Sequence, residues 1–201
     1  MKKVIYFIPI FLGIVLSIGV LAMHSSQISS QDIGVNQIYS SNVCLSVNKA
    51  DGSHEDLGCY TDSLTDAGVQ EMLKLHNVLT NAGAEAIEDI LGQNTAFGAF
   101  NYIGLCNATA GCTTPSVTDT TIDNEYTTAG LTRAVGTYYD NANGNWTISK
   151  TFTATADSLE TNVTGLYNQA TGGTLLATNS FTLATLQTND QLTVNITITA
   201  S

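Results

Sequence analysis

The chain has 201 residues, 6 Lys and Arg against 17 Asp and Glu, and a formal charge of −11. That length fits one domain with appendages. The acidity excludes a nucleic-acid surface, which needs clustered cations to meet phosphates, and docking on anionic lipid through a basic patch. Only 11% of residues are charged while 43% are hydrophobic, where an average soluble protein is about 25% charged. The chain therefore has apolar content for a core and covers its surface with uncharged Thr, Asn, Ser and Gly.

Lys2 and Lys3 precede an apolar run from Val4 to Met23, interrupted only by Pro9, Gly13, Ser17 and Gly19. A run of that length suits a membrane span and is long for the h-region of a cleaved signal. Val20-Leu21-Ala22 nevertheless offers a small-residue cleavage pattern. Residues 1–23 are thus an anchor or a signal peptide, and both readings export the remainder with the lysines left inside. Beyond the leader, Lys49, Lys74, Arg133 and Lys150 face all 17 acids, a net charge of −13. Four Asn-x-Thr sequons, at Asn107, Asn145, Asn162 and Asn195, agree with export.

A polar spacer follows over 24–42, or a strand built on Ile33, Val35, Gln37 and Tyr39. The segment Val43–Val47 alternates, and Asp51-Gly52 signals a two-residue hairpin turn. With that turn, Cys44 falls directly across from Cys59, though as a hydrogen-bonded pair whose Cβ atoms lie farther apart. A bulge near Gly58 relieves the mismatch. Cys106 and Cys112 then close a short second loop. Free thiols and a metal site are the competing readings, but neither spacing resembles a zinc ribbon and no histidine lies near the second pair.

Residues 64–92 carry helical periodicity: Val69, Met72, Leu73, His76 and Leu79 on one helix, Ile87, Ile90 and Leu91 on a second. Leu64-Thr65-Asp66-Ala67-Gly68 recurs as Leu79-Thr80-Asn81-Ala82-Gly83, with Thr65 and Thr80 as N-caps and Gly92 as a C-terminal cap. A two-helix insert packed on a sheet is expected. From Ala96 onward the pattern is β. Leu192, Val194, Ile196 and Ile198 alternate with Thr193, Asn195, Thr197 and Thr199, and Trp146, Ile148, Phe152 and Ala154 repeat likewise, with Lys150 the misfit. Turn signals at Asp140–Gly144, Thr171–Gly173 and Thr188–Asp190 separate such strands. The expected fold is mainly β: an antiparallel β-sandwich, jelly-roll or immunoglobulin-like, over 43–201.

The stretches Tyr102–Cys106, Thr118–Glu125, Leu131–Ala134, Gly144–Ile148, Gly165–Asn168 and Gly172–Leu176, with the closing strand, resemble a structural module of phage tail and virion proteins over about 96–201. With the leader and the Cys44–Cys59 hairpin, the whole resembles exported archaeal surface proteins carrying that module. The resemblance implies a β-sandwich with a structural or attachment role and transfers no catalytic residues. The leader, the four cysteines and the doubled helix depart from the phage form and favour a cell surface over a virion.

Catalytic chemistry is sparse. His24 borders the leader, His54 sits beside the hairpin turn and His76 lies on an apolar helix face. No nucleophile elbow, zinc-protease motif or phosphate loop occurs. Asp119, Asp123, Glu125 and Asp140 offer oxygens but fit no EF-hand spacing, so a solvated acidic face is expected. Arg133, the only arginine, is expected to bridge to Glu125. The aromatics Phe97, Phe100, Tyr102, Tyr126, Tyr138, Tyr139, Trp146, Phe152 and Tyr167 are core, with sugar stacking as the rival use. No catalytic residue, metal site or cofactor is assigned, and no nucleic-acid partner. The expected role is a non-enzymatic structural or attachment protein at the extracellular face of the membrane, or secreted if the leader is cleaved. It is held through residues 4–23 if these are uncleaved, and includes a filament form assembling by strand addition. A carbohydrate-binding adhesin and a virion structural protein are the alternatives.

Overall fold

The computed structural model describes residues 40–61, 77–93 and 96–199. The leader, the spacer up to residue 39 and residues 62–76 lie outside them, as do His24, His76 and the proposed Ile33–Tyr39 strand. The strands are β1 Ser40–Asn48, β2 His54–Thr61, β3 Asn77–Leu79, β4 Tyr102–Leu105, β5 Ala134–Val135, β6 Thr137–Asp140, β7 Asn145–Thr153, β8 Leu159–Tyr167, β9 Leu175–Leu186 and β10 Gln191–Thr199. Sheet one has the order β2-β1-β10-β7-β6 and sheet two β3-β9-β8-β4-β5, with every pairing antiparallel. The chain is mainly β and sandwich-like.

The alternation in β10 has its physical cause here. Leu192, Val194, Ile196 and Ile198 are at most 3% exposed and join Val43, Leu45, Val47, Ile148 and Phe152 of sheet one in a single cluster. Ile103, Leu105, Leu166, Ala177 and Phe181 of sheet two belong to the same cluster. The opposite face of β10 is wet and threonine-lined. Thr193 and Thr197 share hydroxyl hydrogen bonds of 2.8 Å with Thr151 and Thr147 on β7. Period-two burial with one solvated face produces this pattern.

The first hairpin reaches its expected cysteine pairing with the expected bulge near Gly58 but through a longer turn. Lys49 N donates to Ser53 O at 2.8 Å and Gly52 N to Lys49 O at 3.0 Å, so the loop is Ala50–Gly52, three residues closed by a glycine at φ +88°. Asn48 therefore faces His54 and Ser46 faces Asp56. A bulge then inserts Leu57, with Gly58 at φ +91°, and Leu45 faces Gly58 while Cys44 faces Cys59. The two offsets cancel. Cys44 and Cys59 are disulfide-bonded with a Cα–Cα distance of 4.0 Å, the close spacing of a non-hydrogen-bonded pair. The strand also starts earlier than the expected spacer boundary, at Ser40.

The helical insert differs from expectation. Val78 and Leu79 pair with Thr178 and Ala177 as β3: edge pairing on β9 overrides a helical period carried there by a β-branched residue. One α-helix, α1 Asn81–Glu88, is present among the described residues. Thr80 does cap it, its Oγ1 accepting from Gly83 N at 2.9 Å. A Cβ on Gly83 would collide with the Leu176 backbone, so this residue lets the helix lie flush on β9. Gly92 is no C-terminal cap. The helix passes through Asp89 in αR conformation into a π turn, Asp89–Gln93.

Asp190 locks the corner where β9 of sheet two turns into β10 of sheet one. Its Oδ2 accepts from Gln187 N at 2.9 Å and its Oδ1 from Ala50 N at 2.8 Å, while Lys49 Nζ lies 3.6 Å away. Its backbone O accepts from Ala154 N at 2.9 Å. The residue is 2% exposed and ties three segments together. These bonds, the Gln187 amide foremost, hold its carboxyl below the ordinary 3.8 despite the opposing cost of burial.

Two predictions follow from these ties. Replacing both Cys44 and Cys59 by Ala frees a loop with a sequence separation of 15 and should cost about 3 kcal/mol. Calorimetry should show a drop of roughly 6–12 °C in Tm. A depressed folded-state pKa adds stability above the unfolded value and loses it as pH falls through the folded one. Asp190→Asn should therefore lower the denaturation midpoint near neutral pH, and its gap from wild type should shrink as the pH falls below 3.8. A gap independent of pH contradicts the assignment.

Candidate functional site

Arg133 lies under the long segment between β4 and β5, which covers the outer face of sheet two. Its Nε donates to Glu125 Oε1 at 2.7 Å and its Nη2 to Glu125 Oε2. Its Nη1 donates to Gly172 O at 2.7 Å and Gln169 O at 3.3 Å. The guanidinium stacks over the Tyr167 ring, 3.3 Å from its centroid. The side chains of Arg133 and Glu125 are 7% and 17% exposed, so this is a largely buried bidentate pair with satisfied donors. A Cβ on Gly104 would strike Glu125, and one on Gly165 would come within 3.0 Å of Ile122, Leu175 and Tyr167. These glycines leave room for the pair on β4 and β8.

Two tyrosines complete the lock. Tyr167 Oη accepts from Ile122 N at 2.8 Å. Tyr126 Oη donates to Glu160 O at 3.0 Å and accepts from Glu160 N at 3.1 Å. Burial pushes both phenols up from their ordinary value. Beneath the segment, Cys106, Ile122, Val163, Tyr167 and Leu175 form a second, smaller cluster. Cys106 and Cys112 are disulfide-bonded across a 3₁₀ turn at Ala108–Ala110. The arrangement is a structural clamp.

The remaining candidates are dispersed. Asp119 accepts from Ser116 N at 2.8 Å, Asp123 from the Thr113 hydroxyl and Asp140 from Ala142 N at 2.8 Å. Asp119 and Asp140 serve their own turns, Asp123 ties back to Thr113 ten residues earlier, and Glu125 belongs to Arg133. Among the described residues no group of three His, Cys, Asp or Glu side chains converges on a metal position. His54 Nδ1 lies 2.8 Å from Asn48 Oδ1 on the hairpin surface. Of the sequons, Asn107 accepts from Ala110 N at the 3₁₀ turn and Asn145 Oδ1 accepts from Asn141. Asn195 lies on β10 opposite Cys44 and Ser149, and Asn162 Oδ1 is buried without a partner.

One concavity stands out, and the sequence pattern did not reveal it. A pocket of about 400 Å³ opens between α1 with its π turn and one end of the sandwich. Among the described residues it is lined by Ile87, Ile90 and Leu91, by Ala99, Phe100 and Asn101 leading into β4, and by Tyr138, Trp146, Ile148, Leu176 and Ile198. All of these except Asn101, Tyr138 and Trp146 carry purely hydrocarbon side chains. At its rim Leu91 is 75% exposed, Tyr138 58% and Ile90 40%. Lining residues span more than half the chain, so no local motif announces the pocket. The apolar residues of the π turn, with no strand or long helix to bury them, are the one signal available.

No protein-family model matches this chain, and no curated protein matches it. Among the described residues no helix is long and apolar enough to cross a membrane.

Arg133→Ala should cost about 3–5 kcal/mol, because it leaves Glu125 and two carbonyls uncompensated under the segment. Lys150→Ala removes only a distant contact, 5.9 Å from the Phe152 ring centroid, and should cost under about 1 kcal/mol. Thermal denaturation of the two variants checks this, and equal shifts contradict the clamp.

Proposed function

We propose that this chain is an exported, non-enzymatic structural or attachment protein. It is held at the extracellular face of the membrane by residues 4–23, or secreted if that run is cleaved. The observation that carries the reading is the pair of disulfides, Cys44–Cys59 and Cys106–Cys112, with no free cysteine among the described residues. Such bonds persist in oxidising compartments and are rare in the cytosol. The lysine-flanked apolar leader agrees, as does the resemblance of residues 96–201 to the structural module of phage tail and virion proteins.

The finer topology supports a jelly-roll form. The β8–β9 hairpin of sheet two nests inside β7 and β10, which pair in sheet one. Edge strand β6, exposed at all four positions, supplies unpaired backbone for strand addition in a filament. The adhesin reading draws less support. A sugar needs several hydrogen bonds around each ring, and the pocket lining is nearly all carbon.

Protease treatment of intact cells should remove the −13 domain without lysis, and intact mass of the native protein should show both disulfides closed. Protection from external protease, or four free thiols in the native protein, overturns the reading.

A further inference from the structure

We infer that the pocket beneath the π turn takes the hydrocarbon tail of a membrane lipid, making this end of the sandwich a lipid-contacting surface. The inference rests on the proposed reading of Val4–Met23 as the run that brings the domain to a membrane. Its own support comes from the described residues.

The first support is the chemistry of the lining. A cavity of about 400 Å³ lies in the range of small-ligand sites, which bury most of the ligand's surface. A water molecule needs two to four polar partners to be held, and Ile87, Leu91, Phe100, Leu176 and Ile198 offer none. The favourable occupant is a chain of methylenes. The second support is the rim. Leu91 and Ile90 are exposed on a π turn, an irregularity that recurs at functional sites. Tyr138 and Trp146 add rings with an apolar body and a polar edge, the residue types enriched where membrane meets water.

The third support is position. Ser41 on β1 faces Ile198 on β10, and Ile198 faces Trp146 on β7. With strands about 4.8 Å apart, the point where the chain enters the sandwich lies on the same row as two pocket residues. Only residues 24–39 separate that point from the apolar run. Electrostatics then select the lipid. Glu88 on α1 and Asp140 on β6 are acidic and exposed, and Asp89 is acidic and half-buried, so a zwitterionic headgroup is tolerated and an anionic one repelled.

Trp146 is the only tryptophan in the chain and lines the pocket, so its fluorescence reports the site. The full chain is mixed with phosphatidylcholine vesicles whose acyl chains are brominated or not, and flotation is scored separately. Because the pocket buries most of what it holds, brominated tails should lower Trp146 emission about twofold. The exposed-rim variant Ile90→Glu/Leu91→Glu should float equally and lose the quenching.

A chain that floats without quenching overturns the inference and leaves the anchor reading intact. If the chain does not float, a brominated long-chain alcohol is titrated onto the free protein. Saturable quenching that the rim variant abolishes then upholds the pocket while the anchor fails, and its absence overturns both. Trp146 emission that follows protein concentration and ignores lipid assigns the pocket to a second copy of the chain, which also overturns the inference.

Discussion

The fold turns on a single buried cation. Sheet two needs both faces covered, one by sheet one and the other by the long segment between β4 and β5. That segment buries Ile122, Tyr126 and Leu131, but its many Thr, Asp and Asn side chains need polar anchoring. Arg133 solves this from beneath, with a bidentate carboxylate, two carbonyls and an aromatic face around one guanidinium. Lysine lacks the planar fork needed to make those contacts together. Because Glu125 neutralises the charge and the carbonyls take the remaining donors, burial does not leave an unpaired ion. The consequence runs along β8, where Val163 through Tyr167 are all buried, unlike the half-wet β10.

That contrast explains which elements the sequence made legible. β1, β7 and β10 each have one solvated face, so apolar and polar residues alternate and the pattern reads directly. β8 has two covered faces and uses Thr and Gly where close approach matters, so Thr161–Gly165 carry no periodic signal. The Cys44–Cys59 register was recoverable because it depends on total residue count between the cysteines. The bulge near Gly58 was recoverable too, from the pairing mismatch it relieves, but the three-residue loop that offsets it was not. β3 was misread for a related reason: three residues on an edge carry too little pattern to compete with a helical period, and only pairing with Ala177–Asn179 reveals the strand. The Glu125–Arg133 pair followed from there being one arginine. Its role as a clamp depended on Tyr167, Gly104 and Gly165, which nothing local connects to it.

The low charge density and the architecture are two sides of one choice. Surface strands rich in lysine and glutamate discourage edge pairing by repulsion. This chain instead presents threonine rows, with hydroxyls bonded across β7 and β10, and exposes β6 without a cation. Such a surface depends on net negative charge for solubility and on its staples for rigidity. The disulfides staple the edge hairpin β1–β2 and the start of the covering segment.

The two ends of the sandwich are built for different ends. At one, Asp190, Lys49 and Ala154 bind the β9–β10 corner, the first hairpin loop and the end of β7 into a polar knot that closes against water. At the other, where β1 begins at Ser40, the strand termini are covered among the described residues by α1 and its π turn, with an apolar hollow between. A helix optimised solely as a lid would continue its α-helical spacing and bring Ile90 and Leu91 down onto Leu176 and Phe100. The π turn leaves both exposed and, among the described residues, the hollow unfilled. Leaving it open costs packing energy, and that cost is offset when a hydrocarbon partner occupies the space.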